Sequence, residues 1–279
     1  MIVERARSFA KAIVPQRMRR ALRPATIQRR LALAMKKAKC FGIRRQCPIC
    51  QSRLRNFLPG GLNHPVLEEK QIVGGGRRRC VHCPVCNATD RERLLYLYLT
   101  QRTDLFHKPM RLLHVAPEHN LRQAIRRHAN IEYLSADLSG ANVMVAMDIT
   151  DIQYPDNSFD AILCSHVLEH VPDDRQAMRE ISRVLAPQGW AILQVPISLV
   201  LEKTYENPQA TTPEQREREF GQLDHVRIYG QDYPDRLRKA GFAVDVFDWT
   251  AADSGFGGPA NRFGLIPEER VFHVTKPSA

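Results

Sequence analysis

Short apolar runs alternate with segments of helical apolar spacing along the chain from residue 110 onward. The runs predict strands at Arg111–Ala116, Glu132–Ala136, Ala161–Ser165, Ala191–Pro196, Ala243–Asp248 and Val271–Thr275. The segments between them predict helices at Leu121–His128, Arg175–Leu185 and Pro234–Ala240. Alternation of this kind predicts a mostly parallel α/β sheet flanked by helices. Ligands of such sheets bind beyond the carboxyl ends of the strands.

The start of this region is marked by Thr89-Asp90-Arg91-Glu92, which fits a helix capping box. Leu94, Leu95, Tyr98 and Leu99 then form a helical apolar stripe. The sequence therefore divides into an arm over residues 1–45, a cysteine-containing module over 46–88 and an α/β domain over 89–279.

Charge separates the arm from the rest of the chain. Of the 41 Lys and Arg residues, 14 lie within residues 1–45, where Glu4 is the one acid, giving a net charge of +13. The remaining residues carry a net charge of −2, so the overall +11 belongs to the arm. Pro15 and Pro24 interrupt its apolar spacing, which favours a poorly ordered, solvated arm over short amphipathic helices on an anionic surface.

Composition places the chain among ordinary globular proteins, at 43% hydrophobic and 25% charged residues. The sequence has neither an apolar run of about 18 residues, as a membrane helix requires, nor a secretory signal pattern at its start. We therefore expect a cytoplasmic protein without a transmembrane segment. No oligomeric state is predicted.

Two matching knuckles, Cys47-Pro48-Ile49-Cys50 and Cys83-Pro84-Val85-Cys86, predict a metal site. Each turn directs two thiolates toward one point, and two turns together supply the four sulfurs of a structural zinc site. Thiolates of a protein without an export signal favour metal over disulfides. The module is therefore expected to be zinc-ribbon-like. Cys40, Cys80 and His82 are spare candidates that we interpret as incidental.

The central block of the α/β domain carries the strongest functional signal. It contains Met147-Asp148-Ile149-Thr150, then Ser158-Phe159-Asp160 before a strand, and Leu168-Glu169-His170 after it. With Pro187-Gln188-Gly189-Trp190 before the next strand, the block resembles the class I S-adenosylmethionine-dependent methyltransferases, of the small-molecule type. The resemblance spans roughly residues 110–279 and implies their Rossmann-like fold.

The same resemblance implies a binding site for S-adenosylmethionine. A carboxylate at the tip of the second strand can accept hydrogen bonds from both ribose hydroxyls, and Asp137 stands there, followed by Leu138. The resemblance assigns the adenine amine to Asp148 and the adenine ring to the amide of Ile149, and it places Cys164 beside the methyl-transfer position. Ordinary turn chemistry is the alternative interpretation of both aspartates.

The first strand-to-helix turn departs from the family pattern. It usually contains glycines that let the backbone approach the methionine end of the cofactor, but Leu112–Asn120 has none. His114 stands at the usual acidic position, while Ala116 and Glu118 replace glycines. We expect Glu118 either to obstruct the cofactor or to accept a hydrogen bond from its ammonium group.

Three histidines are candidate catalytic bases for an oxygen or nitrogen acceptor. His166 and His170 follow the fourth strand, and His225 lies in a polar insertion, residues 198–230, that is expected to cover the cleft. Asp224, Arg227 and Tyr229 lie in the same insertion, where Arg227 could hold an acceptor carboxylate or phosphate. The alternatives are a helix-packing role for His170 and a solvated lid without catalytic duty.

The sequence therefore predicts a methyltransferase that acts on an O or N atom of a small molecule or of a glycan or lipid precursor. An RNA methyltransferase is the first alternative, although the net charge of −2 outside the arm disfavours it. A non-catalytic zinc-ribbon scaffold with a degenerate cofactor pocket is the second. The basic arm is a candidate contact for an anionic membrane surface or nucleic acid.

Overall fold

The computed structural model describes residues 24–252, 254–256, 258 and 260–278, with side chains from Leu31 onward. Its first element is helix α1, Pro24–Cys40, which ends in a turn containing Lys37 and Lys39. The expectation of a poorly ordered arm is therefore wrong for this stretch. Most of the predicted arm, residues 1–23, lies outside the described residues. No helix in the described part of the chain is both long enough and apolar enough to cross a membrane.

The cysteine-containing module consists of short antiparallel ladders. Strand β1, Arg45–Gln46, pairs with β2, Arg53–Leu54, on either side of the first knuckle. Strand β3, Leu58–Gly60, pairs with β4, Arg78–His82, which leads directly into the second knuckle. The segment between β3 and β4 contains the short helix α2, Pro65–Glu69.

The remaining elements form the α/β part of the chain. In order they are α3 (Asp90–Arg102), β5 (Met110–Val115), α4 (His119–Ile125), β6 (Ile131–Asp137), β7 (Val145–Ala146), β8 (Phe159–Ser165), α5 (Asp174–Val184), β9 (Leu185–Gln194), β10 (Tyr205–Glu206), α6 (Pro213–Phe220), β11 (Arg227–Ile228), α7 (Tyr233–Lys239), β12 (Ala243–Asp248) and β13 (Arg270–Thr275). The predicted capping box at the start of α3 is present: the hydroxyl of Thr89 accepts from the amide of Glu92, whose carboxylate accepts from the amide of Thr89.

Seven strands form one sheet in the order β12–β13–β9–β8–β5–β6–β7. Strands β5 to β9 pair in parallel, and β13 pairs antiparallel with both of its neighbours. The predicted Rossmann-like, mostly parallel sheet flanked by helices is thus confirmed. Because β5, β6 and β8 are parallel neighbours, their carboxyl ends meet at one edge of the sheet.

Both faces of the sheet are buried. Along β5, Leu113 and Val115 pack toward the helices α5 and α7, whereas Leu112 packs toward α3 and α4. This follows from the period of two in a strand, which sends successive side chains to opposite faces. The amphipathic stripe predicted for α5 supplies Ala177, Met178 and Ile181 to the first of these cores. The sheet is therefore a rigid platform for the loops at its carboxyl edge.

A buried arginine makes many of the hydrogen bonds between the module and the α/β domain. The side chain of Arg93, on α3, is fully buried. Its guanidinium donates to five backbone carbonyls at 2.7–2.9 Å, those of Cys80, Val81, Ala88, Phe263 and Gly264. The guanidinium carbon also lies 3.7 Å from the centre of the Phe57 ring. Burial lowers the pKa of Arg93, but the group remains a cation because arginine starts above 12.

We predict that Arg93→Met lowers the free energy of unfolding by at least about 3 kcal/mol, because buried carbonyls of two segments lose their donors together. Chemical denaturation followed by circular dichroism measures the change. The control is Arg126→Met, at an exposed arginine, which should stay within about 0.5 kcal/mol of the parent. Equal stability of the two variants would contradict the structural role of Arg93.

Candidate functional site

A cavity of about 750 Å³ opens at the carboxyl ends of β5, β6 and β8. Its size lies within the range of small-molecule sites. It is lined by Val115, Ala116, Asp137, Leu138, Met147, Asp148, Ile149, Thr150, His166, Val167, His170, Val171, Pro172, Asp173, Gln176 and Asp224. Five of the eight residues predicted to bind the cofactor lie here: Ala116, Asp137, Leu138, Asp148 and Ile149.

Asp137 and Asp148 face this cavity through the same local geometry. Oδ1 of Asp137 accepts from the amide and hydroxyl of Ser139, at 2.8 and 2.5 Å. Oδ1 of Asp148 accepts from the amide and hydroxyl of Thr150, at 2.8 and 2.7 Å. Neither Oδ2 makes a hydrogen bond to a residue that the structure describes. Turn formation thus occupies one oxygen of each carboxylate and leaves the other for a ligand, so the two interpretations of these residues are compatible.

The glycine-free turn after β5 keeps a glycine-like backbone. Ala116 has φ +44°, in the left-handed region that favours glycine, and its amide donates to the carbonyl of Ala136 at 2.7 Å. The hydrogen-bonded pairing of β5 with β6 stabilises this unfavourable conformation. The turn therefore keeps the backbone conformation that allows close approach to a ligand, although it contains no glycine.

Glu118 turns away from the large cavity. Its Oε2 lies 3.0 Å from Nε2 of His114, whose Nδ1 lies 3.2 Å from the hydroxyl of Tyr133. His114 is fully buried, and neither residue is among those lining the large cavity. Glu118 therefore does not obstruct that cavity, and its predicted bond to the ammonium group of the cofactor stays untested.

Cys164 also lies outside the lining of the large cavity. It is buried near the end of β8, and burial raises the pKa of its thiol. A buried, protonated thiol is a packing group. His114, Glu118 and Cys164 thus do not line the large cavity. His114 and Cys164 are buried within the strands, whereas Glu118, in the turn after β5, lines the smaller cavity described next.

A second, smaller cavity of about 380 Å³ lies between the module and the α/β domain. Its wall contains Gly61, Leu62, Leu67, Ile72, Gly74, Gly75, Arg78, Val81, His82, Thr89, Asp90, Arg91, Glu118, His166, Glu169, His170, Pro196, Phe220, Gln222, His225, Arg227 and Ile228. His166 and His170 line both cavities. The two histidines therefore stand between a cofactor-sized space and a smaller one.

His166 is held by a buried carboxylate. Its Nδ1 lies 3.2 Å from Oε1 of Glu169, and its backbone adopts φ +54° at the end of β8. Burial alone would raise the pKa of Glu169, but the hydrogen bond and charge of His166 hold that pKa below its usual value. Glu169 is therefore an anion, and it orients the ring of His166 as in carboxylate–histidine pairs of acid–base catalysis. Non-glycine residues in the left-handed region cluster at functional sites.

The other two candidate bases contact each other. The rings of His170 and His225 meet edge to face, with centroids 4.6 Å apart, and Nδ1 of His170 lies 3.1 Å from Oδ2 of Asp224. Burial lowers the pKa of His225 to about 4, so this imidazole is neutral near pH 7. The structure thus brings all three predicted histidines to one place, although His225 is 55 residues beyond His170.

Two residues of the polar insertion are structural. Arg227 donates to the carbonyls of Leu168 and Pro172 at 2.7 and 2.8 Å, and its Nε donates to Glu206 at 2.8 Å. The hydroxyl of Tyr229 donates to the carboxylate of Asp174 at 2.7 Å. Arg227 therefore holds the loop after β8, and its contact with an acceptor anion stays a prediction.

The four cysteines of the two knuckles converge. Their sulfurs lie within 4.8 Å of one another, with Cys47 and Cys86 at 3.7 Å and Cys50 and Cys83 at 3.8 Å. These separations exclude disulfides, whose sulfurs lie about 2.05 Å apart. They match the spacing of about 3.8 Å between thiolates that each lie about 2.3 Å from a tetrahedral zinc ion. The donor set therefore fits a structural zinc ion.

Sequence reasoning missed the contribution of the loop after β8 to the large cavity. Val167, Val171, Pro172 and Asp173 line it, together with Gln176 of α5. Their position directly after a strand at the binding edge was the available signal. The residues of the small cavity that come from the module carried no such signal, because their position depends on how two parts of the chain pack.

The region that forms the large cavity is similar in sequence to a known protein family. Residues 102–193 match the sequence model of a family described as a methyltransferase domain. This segment runs from the end of α3 through β9 and contains most of the large-cavity wall. The centre of the chain is therefore similar to a methyltransferase domain.

Among curated proteins, the 27-O-demethylrifamycin SV methyltransferase of Amycolatopsis mediterranei (strain S699) is 30% identical to this chain over 154 residues. The match covers 52% of this chain and 53% of that protein, so the chain spans about half the length of this relative.

Two solved structures are also similar to this chain. The Burkholderia thailandensis 1,6-didemethyltoxoflavin-N1-methyltransferase, with bound 1,6-didemethyltoxoflavin and S-adenosylhomocysteine, has a TM-score of 0.43 at 17% identity, covering 67% of this chain and 76% of that one. An S-adenosylmethionine-dependent methyltransferase from Mesorhizobium loti has a TM-score of 0.41 at 14% identity, covering 66% and 98%.

We predict that Ala116→Gly leaves the free energy of unfolding unchanged or raises it by up to about 1 kcal/mol, because relief of left-handed strain offsets the flexibility of glycine. Ala177→Gly, at a buried position within α5, is the matched control and should lose about 1 kcal/mol or more. Chemical denaturation compares the two. An equal loss in both variants would show that Ala116 is not strained.

Proposed function

We propose that this protein is an S-adenosylmethionine-dependent methyltransferase that methylates an O or N atom of a small molecule or of a glycan or lipid precursor. One observation carries the proposal. Asp137 and Asp148, at the ends of adjacent strands, each keep one carboxylate oxygen without a described hydrogen bond, and both line a cavity of about 750 Å³ together with His166 and His170. The methyltransferase domain matched over residues 102–193 supports the same interpretation.

The two aspartates would hold the nucleoside part of the cofactor. Asp137 would accept from the ribose hydroxyls, while Asp148, with the amide of Ile149, would bind the adenine edge. Leu138, which is exposed at the cavity mouth, would cover the ring. Strong charge-assisted hydrogen bonds of this kind fix orientation as well as affinity. The cofactor supplies an electrophilic methyl group on a sulfonium.

His166 is the proposed general base. Transfer of a methyl group is an in-line displacement in which alignment contributes most of the rate, and a hydroxyl or amine acceptor also has to lose a proton. Nε2 of His166 is buried and makes no hydrogen bond to any described residue, while Nδ1 is held by Glu169. That nitrogen is therefore available for the acceptor proton. His170 and His225 would complete the wall against which the acceptor lies.

The smaller cavity is the proposed acceptor site. Its volume of about 380 Å³ suits a small molecule or one unit of a larger one, and it meets the cofactor cavity at His166 and His170. An RNA acceptor is not favoured, because the net charge outside residues 1–45 is −2.

The same proposal includes a cytoplasmic location. It also includes contact of the basic arm with an anionic membrane surface or nucleic acid. Lys36, Lys37 and Lys39 of α1 and the exposed Leu31 and Met35 support such a contact.

The cysteine-containing module is proposed to hold a structural zinc ion. Four thiolates close the coordination sphere, so Cys47, Cys50, Cys83 and Cys86 leave no position for water or acceptor. The ion would therefore stabilise the module and take no part in methyl transfer.

We predict that Asp137→Ala weakens binding of S-adenosylhomocysteine by about 10- to 150-fold, equivalent to about 1.5–3 kcal/mol for lost bonds to a charged group. Isothermal titration calorimetry measures the affinity. Asp137→Asn keeps an oxygen for the Ser139 turn and separates loss of charge from loss of the turn. Asp235→Ala, at an exposed aspartate, is the control and should bind like the parent.

Two results would contradict the proposed function. Unchanged affinity in Asp137→Ala would remove this residue from the site. Absence of any heat or thermal shift with the parent protein at millimolar S-adenosylhomocysteine would favour the non-catalytic scaffold instead.

We predict that Cys47→Ser reduces the zinc content of the purified protein, from about one ion per chain at the cysteine site toward none, and lowers the thermal midpoint. A structural site contributes its binding energy to folding, so loss of one thiolate destabilises the module. Metal content is read by elemental analysis. Cys164→Ser, at a buried cysteine outside the knuckles, is the control and should keep the ion; zinc retained by Cys47→Ser would contradict the site.

A further inference from the structure

A second group of potential metal ligands lies beside the proposed acceptor site. Glu169, His170 and His225 each present one ligand atom within 4.8 Å of the other two. The group is separate from the four cysteines, and all three residues line the smaller cavity. Its chemistry is also different, with two imidazoles and one carboxylate and no thiolate.

The carboxylate of Glu169 has a buried oxygen without a described hydrogen-bond donor. The residue is 1% exposed, and Oε1 is engaged by His166. Oε2 is buried and accepts no hydrogen bond from any described residue. A buried carboxylate oxygen without a donor is unfavourable unless a cation or donor occupies the site. The lack of a partner for this oxygen points to a ligand independently of the spacing between the three side chains.

His170 is oriented as metal-bound imidazoles usually are. Such rings donate their second nitrogen to a carboxylate or carbonyl, which fixes the tautomer and the ring direction. Here Oδ2 of Asp224 lies 3.1 Å from Nδ1 of His170, so Nε2 is the nitrogen left for an ion. Oε1 of Glu169 is likewise fixed, through His166.

His225 is brought to the group by the backbone. The amide of Val226 donates to the carbonyl of Glu169 at 2.9 Å, and Arg227 donates to the carbonyls of Leu168 and Pro172. These bonds fix residues 225–227 against the loop after β8. The ring of His225 is 4% exposed and lies edge to face with that of His170. The arrangement thus rests on one backbone hydrogen bond and on a buried guanidinium that donates to two backbone carbonyls.

We propose that Glu169, His170 and His225 bind a divalent first-row transition-metal ion that faces the smaller cavity. Imidazole and carboxylate ligands suit zinc, iron, cobalt and nickel ions better than calcium or magnesium. Three protein ligands leave positions open, as in catalytic sites and unlike the closed cysteine site.

The role of the ion rests on the proposed function. An acceptor hydroxyl that occupies an open position would lose its proton more readily, because a bound cation stabilises the oxyanion. His166 would take that proton at Nε2. The oxygen would then form a bond to the methyl carbon as the carbon–sulfur bond breaks, and the electron pair of that bond would stay on sulfur. The acceptor class is accordingly one with a hydroxyl beside a second oxygen donor, such as a vicinal diol or a hydroxy acid.

Cobalt binding tests the site without reference to activity. The full chain, with zinc in its cysteine module, is titrated with Co²⁺ and followed by absorption spectroscopy and equilibrium dialysis. We expect one equivalent to bind with weak ligand-field bands and without the intense sulfur-to-metal absorption of a thiolate site. Glu169→Gln and His225→Ala should each weaken Co²⁺ affinity by about 100-fold or more. Asp224→Asn should weaken it by about 10- to 100-fold, as for loss of an outer carboxylate.

Matched controls keep the result interpretable. His107→Ala and Glu217→Gln change exposed residues of the same types and should bind Co²⁺ like the parent. Thermal denaturation shows whether each variant is folded. Binding of S-adenosylhomocysteine is a second check of folding, because Glu169 and His225 lie outside the lining of the cofactor cavity.

Two results would overturn the metal site: no Co²⁺ bound at 1 mM beyond exchange into the thiolates, or equal binding by the parent and the folded Glu169→Gln and His225→Ala variants. The outcome is distinguishable from failure of the proposed function. Cobalt binding without S-adenosylhomocysteine binding would retain the site and reject the methyltransferase, and the converse would reject the site alone.

Discussion

The hydrogen bonds of one buried guanidinium hold together the parts of this molecule that form its site. Arg93 joins carbonyls of β4 and the second knuckle to those of Phe263 and Gly264. No other residue type offers five donors in one plane with a charge that stays on the group. The preceding residue, Glu92, caps α3 and also accepts from the amide of Asn120 at 3.1 Å, at the start of α4. Helix α3, which carries Arg93, is thereby fixed to the first strand-to-helix turn.

This attachment gives the module a role beyond stability. Gly61 and Leu62, just after β3, and Arg78, Val81 and His82 of β4 contribute directly to the wall of the smaller cavity. Helix α2 of the module packs through Leu67 against Phe220 of α6, which belongs to the polar insertion. A metal that orders the module would therefore also shape the space proposed for the acceptor. A change in the module can alter acceptor selection without touching the cofactor cavity.

The elements that the sequence predicted well are those governed by local periodicity. The six predicted strands and three predicted helices are present with shifts of a few residues, and the capping box at Thr89 is present as written. Each Cys-x-x-Cys turn is a local geometry that directs two thiolates to one point. The sequence could therefore predict that the two knuckles come together at one metal site. The position of Asp137 at the sheet edge followed from a predicted strand, which ends at this residue in the structure. Asp148, which lies just after the unpredicted strand β7, was assigned through the family resemblance.

The features that the sequence did not predict depend on contacts between distant residues. Nothing local marks Arg93 as buried, because its partners lie up to 171 positions away. The backbone of Ala116 is left-handed although alanine disfavours it, since the paired strands outweigh the local preference. The structural role of Arg227 has the same origin, because its Nη1 and Nη2 donate to a loop 55–59 residues earlier.

The common wall of the two cavities is the feature that unites these observations. A displacement reaction requires donor and acceptor to approach along one line, and the two spaces here share the loop that begins at a strained residue, His166. That loop is fixed from below by the sheet, through the bond from the amide of His166 to the carbonyl of Gln194 at 2.8 Å. It is fixed from above by Arg227. One support is a backbone hydrogen bond to β9, and the other is a buried guanidinium that donates to carbonyls of the loop. The histidines are therefore held in place before any ligand binds, and alignment does not have to be gained at the moment of reaction.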